Sequence, residues 1–234
     1  MAGVRLGRLG SYGLALAALL AGWKLLAWAL SSPVLPHPEP ALAAFARALA
    51  GGEFWAHFGA SAYRACAAMV LAWGLGFPLG VCMGGSRRLD RVLSPLVFLT
   101  YPVPKIVLLP IILILFGMGD AAKIVMISLI IGYQVLVTTR DGVLAIPRAY
   151  LDSVRSLGAG PSQILREVLV PAGLPHGFTA LRLNSGVSVA VLFFVESFAT
   201  RQGLGYLIME AWGRLNYVAM FTGILGMSLL GVVL

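Results

Sequence analysis

Apolar runs of about twenty residues recur along this chain, and polar positions do not alternate with apolar ones inside them. That pattern restricts the fold more than any other feature of the sequence. A membrane barrel would alternate at half that length, whereas a helix satisfies its own backbone groups in lipid. Six spans are predicted, at 12–31, 62–84, 92–116, 121–138, 177–196 and 217–234. The expected fold class is an all-α integral membrane protein, a single transmembrane domain over 1–234 with a polar insert at 147–171. Composition agrees: at 59% hydrophobic and 11% charged residues, the chain has too few charges to cover a soluble surface.

The first run follows Arg5 and Arg8 in the manner of a signal peptide. Its length and the lack of a small-x-small cleavage site before Pro33 favour a retained span. Lys and Arg then set the orientation. With the N-terminus in the cytoplasm, inner segments hold nine basic residues (Arg5, Arg8, Arg87, Arg88, Arg91, Arg140, Arg148, Arg155, Arg166). Outer segments hold five: Arg47, Arg64, Lys123, Arg201 and Arg214. The bias places the 147–171 insert on the cytoplasmic side. The net charge of +8 is scattered at the ends of apolar runs, which fits topology and anionic headgroups better than nucleic acid. Cys66 and Cys82 lack metal or redox spacing and are expected to be buried small hydrophobes. The sequence ends inside apolar SLLGVVL without flanking basic residues, so a tail beyond Leu234 is expected.

Between the first two spans, 41–50 reads as a short helix, and Phe54, Trp55 and Phe58 suggest a second at the outer interface. His37 and His57 have no partner spaced for a metal, and interface packing is expected for both. The second span carries small residues at every fourth position, Ala68, Ala72, Gly76, Gly80 and Gly84, a ridge against which another helix can pack closely. The third contains Pro95, Pro102, Pro104 and Pro110, which break backbone bonds and require shielding by protein or a cavity. Lys24 and Lys105 sit in the middle of spans, where an unpartnered cation costs about 3 kcal/mol. Both are candidates for a substrate path, with snorkelling or carbonyl capping as the alternative. Glu196 is a third candidate, near water at the end of the fifth span, where a membrane-edge cap or gate contact is favoured over a proton carrier.

The insert 147–171 contains LDSVRSLGAGPSQILREVLVP. Asp152 and Arg155 form an i,i+3 pair on a first helix, Gly158 interrupts it, and Gly160-Pro161 resets the direction. A second helix follows with Ile164, Leu165, Val168 and Leu169 as an apolar stripe, and Pro171 stops it. Such a helix–corner–helix serves either as a plug on its own bundle or as a knob offered to a soluble partner.

This spacing resembles the cytoplasmic signature of ATP-binding-cassette importer permeases: Glu-Ala-Ala, three residues, Gly, nine residues, Ile, any residue, Leu-Pro. Here Asp152-Ser153-Val154, Gly158, Val168 and Val170-Pro171 keep the spacing with changed lettering. PVPKIVLLPIILILFGMGDAAKI (102–124), ALRLNSG (180–186) and ESFATRQGLGYLI (196–208) resemble the nitrate, sulfonate, taurine and bicarbonate branch. The resemblance runs from about residue 55 onward. It implies that Asp152, Ser153, Val154, Arg155, Gly158, Ala159, Ile164, Val168 and Pro171 form the coupling element for an ATPase. It also implies a homodimer of permeases in a bacterial inner membrane, an extracytoplasmic solute-binding protein, and a small anion as substrate. ATP and Mg would belong to the partner ATPase, with no cofactor in this chain.

No phosphate-loop GxxxxGK[ST], HExxH, GxSxG or Cys/His cluster occurs, so no catalytic or metal site is expected. GMGDAA (117–122) matches GxGxxA only formally, because it joins two spans. An ATP-independent secondary transporter or channel is the competing reading. An acidic relay within the central spans, or an inverted repeat, would favour it, and neither is visible.

Overall fold

The chain, seen as a computed structural model, is described over residues 2–198 and 200–234, with side chains from residue 10 onward. The side chains of Arg5 and Arg8 therefore lie outside the described residues, as does Ala199 of the 196–208 motif. Every regular element among the described residues is helical. In chain order these are α1 (Ala2–Leu30), α2 (Pro38–Leu49), α3 (Gly52–Gly85), α4 (Arg87–Thr100), α5 (Leu109–Phe116), α6 (Asp120–Leu144), α7 (Arg148–Ser156) and α8 (Pro161–Ile164). After a π-turn at Leu165–Leu169 come α9 (Val170–Glu196), α10 (Leu204–Gly213) and α11 (Tyr217–Val233).

Four helical stretches are long and apolar enough to cross a bilayer: Gly10–Leu30, Gly52–Gly85, Asp120–Leu144 and Pro161–Glu196. The predicted 92–116 span is instead two helices, Arg87–Thr100 and Lys105–Phe116, bent by 83°. Counting that pair as one span gives five, and the predicted 217–234 segment is the shorter apolar helix α11. The bend has a local cause. Pro102 and Pro104 supply no N–H, so bonds that would continue α4 are missing. Lys105 Nζ donates to the carbonyls of Thr100 (3.3 Å) and Tyr101 (3.2 Å) at the end of α4 and lies 4.0 Å from the Tyr133 ring centroid.

The centre of the bundle is α3 against α6, with α9 across both. The two helices run parallel, since Ala72 meets Gly132, Gly76 meets Val135, and Gly84 meets Val143. Ala68 and Ala72 of the small-residue ridge are buried. A Cβ on Gly76 or Gly80 would stand 2.6 Å from the Gly132 or Leu136 carbonyl oxygen, and one on Gly84 would stand 2.7 Å from that of Arg140. Close backbone contact replaces the hydrophobic drive that lipid cannot give. Outward faces carry Val70, Leu75, Leu79, Ile114 and Leu183, as suits a surface solvated by hydrocarbon. Cys66 and Cys82 lie exposed on α3 rather than buried as expected.

Two helix boundaries differ from the sequence expectation. The aromatic cluster Phe54, Trp55 and Phe58 opens α3 itself, because no breaker separates it from the apolar run that follows. Pro171 does not end the insert's second helix. The π-turn before it shifts Val170 N–H onto Leu165 O, which accommodates the proline ring, and the helix runs on from Pro161 to Glu196.

Candidate functional site

At one end of the bundle α6 stops at Ala145, and Pro147 starts α7. Helix α7 has no buried residue, and Tyr150 and Leu157 stand 64% and 87% exposed. Arg155 Nη1 bonds Asp152 Oδ1 at 3.1 Å on its outer face. Gly158 at φ +87° terminates it: Gly158 N–H donates to Arg155 O (2.9 Å) and Ala159 N–H to Val154 O (3.4 Å). This is the Schellman pattern, in which a left-handed residue pairs the last carbonyls and glycine adopts that conformation without penalty. Nothing lies within 4 Å of where a Gly158 Cβ would sit, so within this chain the glycine serves conformation rather than close approach. Gln163 Oε1 then accepts from Gly160 N–H at 2.9 Å, and Pro161 opens the next helix.

The residues expected to couple an ATPase therefore divide. Asp152, Ser153, Arg155, Gly158 and Pro171 are exposed, and Val154 and Ala159 are half-buried beneath them. Ile164 and Val168 face the core, as does Leu169, which packs against Gly85. Apart from the exposed Leu165, the stripe read as part of a docking surface is thus the inward face of the long helix. It braces the corner rather than presenting itself to a partner.

The other end of the bundle holds a polar cluster that sequence reading misplaced. Glu196 was expected near water, yet it is 1% exposed at the end of α9. Its carboxylate accepts from Arg64 Nη1 (2.6 Å), Ser61 Oγ (2.8 and 2.9 Å) and Gly205 N–H (2.9 Å). Arg64 also donates from Nε to Asp120 Oδ1 (2.7 Å) and from Nη1 to Gln202 O (2.6 Å). Ser61 Oγ accepts from Leu204 N–H at 2.8 Å, and His57 Nδ1 from Gly203 N–H at 3.0 Å. Gly203 has φ +135°, and a Cβ there would strike the Glu196 carboxyl at 2.5 Å. The cluster thereby ties α3, α6 and α9 to the segment that starts α10.

Arg64 and Lys123, taken from sequence as outer-loop cations, are 4% and 1% exposed within helices. Lys123 Nζ donates to Met118 O (2.8 Å) and Gly119 O (3.1 Å). A usable signal was present: His57, Ser61 and Arg64 follow i, i+4, i+7 spacing, a polar stripe on one face of an apolar helix. Lys24 pairs with Glu39 at an exposed site, and that lysine holds the Glu39 carboxyl below the ordinary carboxylate range. Lys105 caps the α4–α5 bend. Neither lysine meets Glu196, so the three path candidates do not form one site.

About 36 Å of continuous helix, at 1.5 Å per residue, separates Ser61 from Gly85, which contacts Leu169 near the α7 corner. A bundle with spanning helices, an exposed helical knob at one end and a bonded ionic cluster at the other has the form of a transport permease. The family model for the binding-protein-dependent transport system inner membrane component matches residues 76–234, and the chain belongs to that family of ABC transporter permeases. It is 31% identical over 218 residues to the taurine transport system permease protein TauC of Escherichia coli (strain K12), covering 91% of this chain and 79% of that protein. It is 29% identical over 217 residues to a putative aliphatic sulfonates transport permease protein, SsuC, of Bacillus subtilis (strain 168), covering 92% and 79%. A chain of the MetNI methionine ABC transporter in inward-facing conformations shares the fold, with TM-score 0.62 and 22% identity over 74% of this chain and 87% of that one. The relatives are transport permeases, and the family is one of inner membrane components.

Proposed function

We propose that this chain is the membrane-spanning subunit through which separate ATPases drive a small anion, of the sulfonate or taurine kind, into the cytoplasm. The observation that carries the coupling part is α7: a short helix with no buried residue, ended by a glycine corner and braced from behind by Ile164 and Val168. A braced, exposed helix transmits a push from a docked partner into α6 and α9, which it joins. Arg148, Asp152 and Arg155 supply a polar rim around Tyr150 and Leu157. ATP and Mg belong to the partner in this reading, and this chain contributes no chemistry. The N-terminus and α7 lie in the cytoplasm, two copies enclose the path, and an extracytoplasmic binding protein delivers the solute. Similarity to the taurine and sulfonate permeases supports the choice of anion.

The test uses the permease, its ATPase and the solute-binding protein together in proteoliposomes. Uptake of radiolabelled taurine should require ATP and persist when the membrane potential is collapsed. Gly158→Arg should leave the bundle folded, because the space around that residue is open, apart from about 1–2 kcal/mol for a side chain at positive φ. ATPase co-purification and uptake should fall at least tenfold. Normal co-purification and uptake in this variant would remove the corner from the contact. Uptake that follows the potential and ignores ATP would favour a secondary transporter.

A further inference from the structure

A cleft of ≈ 410 Å³ opens beside the ionic cluster, between the start of α6 and the segment leading to α10. Its lining is Arg64, Met118, Asp120, Lys123, Thr200 and Arg201. The volume falls within the range of small-molecule sites. Three cations face it against the Asp120 carboxylate, with Glu196 bonded behind Arg64, so one positive charge remains in excess. The larger cavity of ≈ 570 Å³ between α2, α10 and α11 balances Arg47 and Arg214 against Glu53 and Glu210, and its field has no preferred sign.

The donors in the smaller cleft are held in place. Arg64 is 4% exposed, and its bonds to Glu196, Asp120 and Gln202 use Nε and Nη1. Its Nη2 makes no hydrogen bond to a described residue. Lys123 is 1% exposed and commits Nζ to two carbonyls, leaving one of its three protons. Two buried cations with N–H capacity to spare, anchored on different helices, give an entering oxyanion a fixed positive wall. Arg201, exposed at the rim, adds charge where an incoming anion first meets the protein.

We propose that this cleft binds small sulfonate-type oxyanions through Lys123, Arg64 and Arg201. The proposal deepens the small-anion reading and rests on it for the choice of sulfonate. It assigns that chemistry to residues other than Lys24 and Lys105.

The experiment is calorimetric titration of methanesulfonate into the permease–ATPase complex in nanodiscs, without nucleotide and at constant ionic strength. Wild-type protein should show saturable binding, and tetramethylammonium should show none. Arg201→Glu, at an exposed position that leaves the fold intact, should weaken binding about threefold or more. Lys123→Gln should weaken it at least tenfold, the loss of one charge-assisted bond. Arg214→Gln, in the larger cavity, should leave affinity unchanged. Absence of saturable binding to wild type overturns the proposal, as does equal affinity in wild type and Arg201→Glu. The two readings fail separately. ATP-driven taurine uptake without methanesulfonate binding sinks the site and leaves the importer standing. Methanesulfonate binding by a protein that transports only cationic or neutral solutes keeps the site and sinks the anion substrate.

Discussion

Replacing Arg64 with leucine should destabilise the folded bundle by about 3–5 kcal/mol, the usual cost of removing one partner from a buried ion pair. The guanidinium is the hub of the cluster: it neutralises Glu196 and Asp120 and holds the Gln202 carbonyl. Leucine fills much of the volume but leaves the buried Glu196 carboxyl with only Ser61 and Gly205 as partners. Glu196→Gln should cost less, about 1–2 kcal/mol, because the amide oxygen still accepts from Ser61 or Gly205. In the double variant Arg64→Leu/Glu196→Gln no charge is stranded between them, and its loss should be well below the sum of the single losses. Equilibrium unfolding in detergent micelles measures all three. An Arg64→Leu variant within about 0.5 kcal/mol of wild type would show that the pair does not hold this end together.

A second large effect should follow from Gly80→Leu. The new Cβ would sit 2.6 Å from the Leu136 carbonyl oxygen and 2.8 Å from Thr139 Cβ. The first obstacle is helix backbone, so it cannot rotate away as a side-chain tip would. Overpacking a core costs about 1–3 kcal/mol where side chains yield, and a loss at or above the top of that range is expected here. Gly74→Leu is the control: it lies on the same helix with nothing within 4 Å of its Cβ site, and it should be tolerated. Thermal unfolding of both variants decides the matter, since equal melting temperatures would mean that α3 and α6 can separate at little cost.

The sequence made the apolar helices and the polar corner visible because each is a local property. Helical runs show in length and hydropathy, the ridge Gly76, Gly80 and Gly84 in four-residue spacing, and the break at Gly158 in a glycine between two helical patterns. What was hidden depends on pairing across the fold. Glu196 looks like an end-of-helix acid near water until Arg64, 132 positions away in the chain, is brought against it. Lys123 follows a turn in sequence, and only the return of its side chain onto Met118 and Gly119 shows that it is a buried cap. The insert was misread at its second half because proline usually ends a helix. The π-turn at Leu165–Leu169 removes that conflict and cannot be read from composition. The 83° bend at 101–104 was foreseeable as disruption from its prolines, whereas the capping of two carbonyls at once by Lys105 was not.

The most direct measurement places a photo-crosslinking residue at Leu157, the most exposed large apolar side chain of the corner at 87%, in the assembled transporter with its ATPase. The expected product joins this chain to the ATPase subunit, with a yield that changes when ATP is bound. The contradictory result is ATP-driven uptake at wild-type rate with no crosslink from Leu157 or from the neighbouring exposed Tyr150, because energy would then enter the bundle somewhere other than α7.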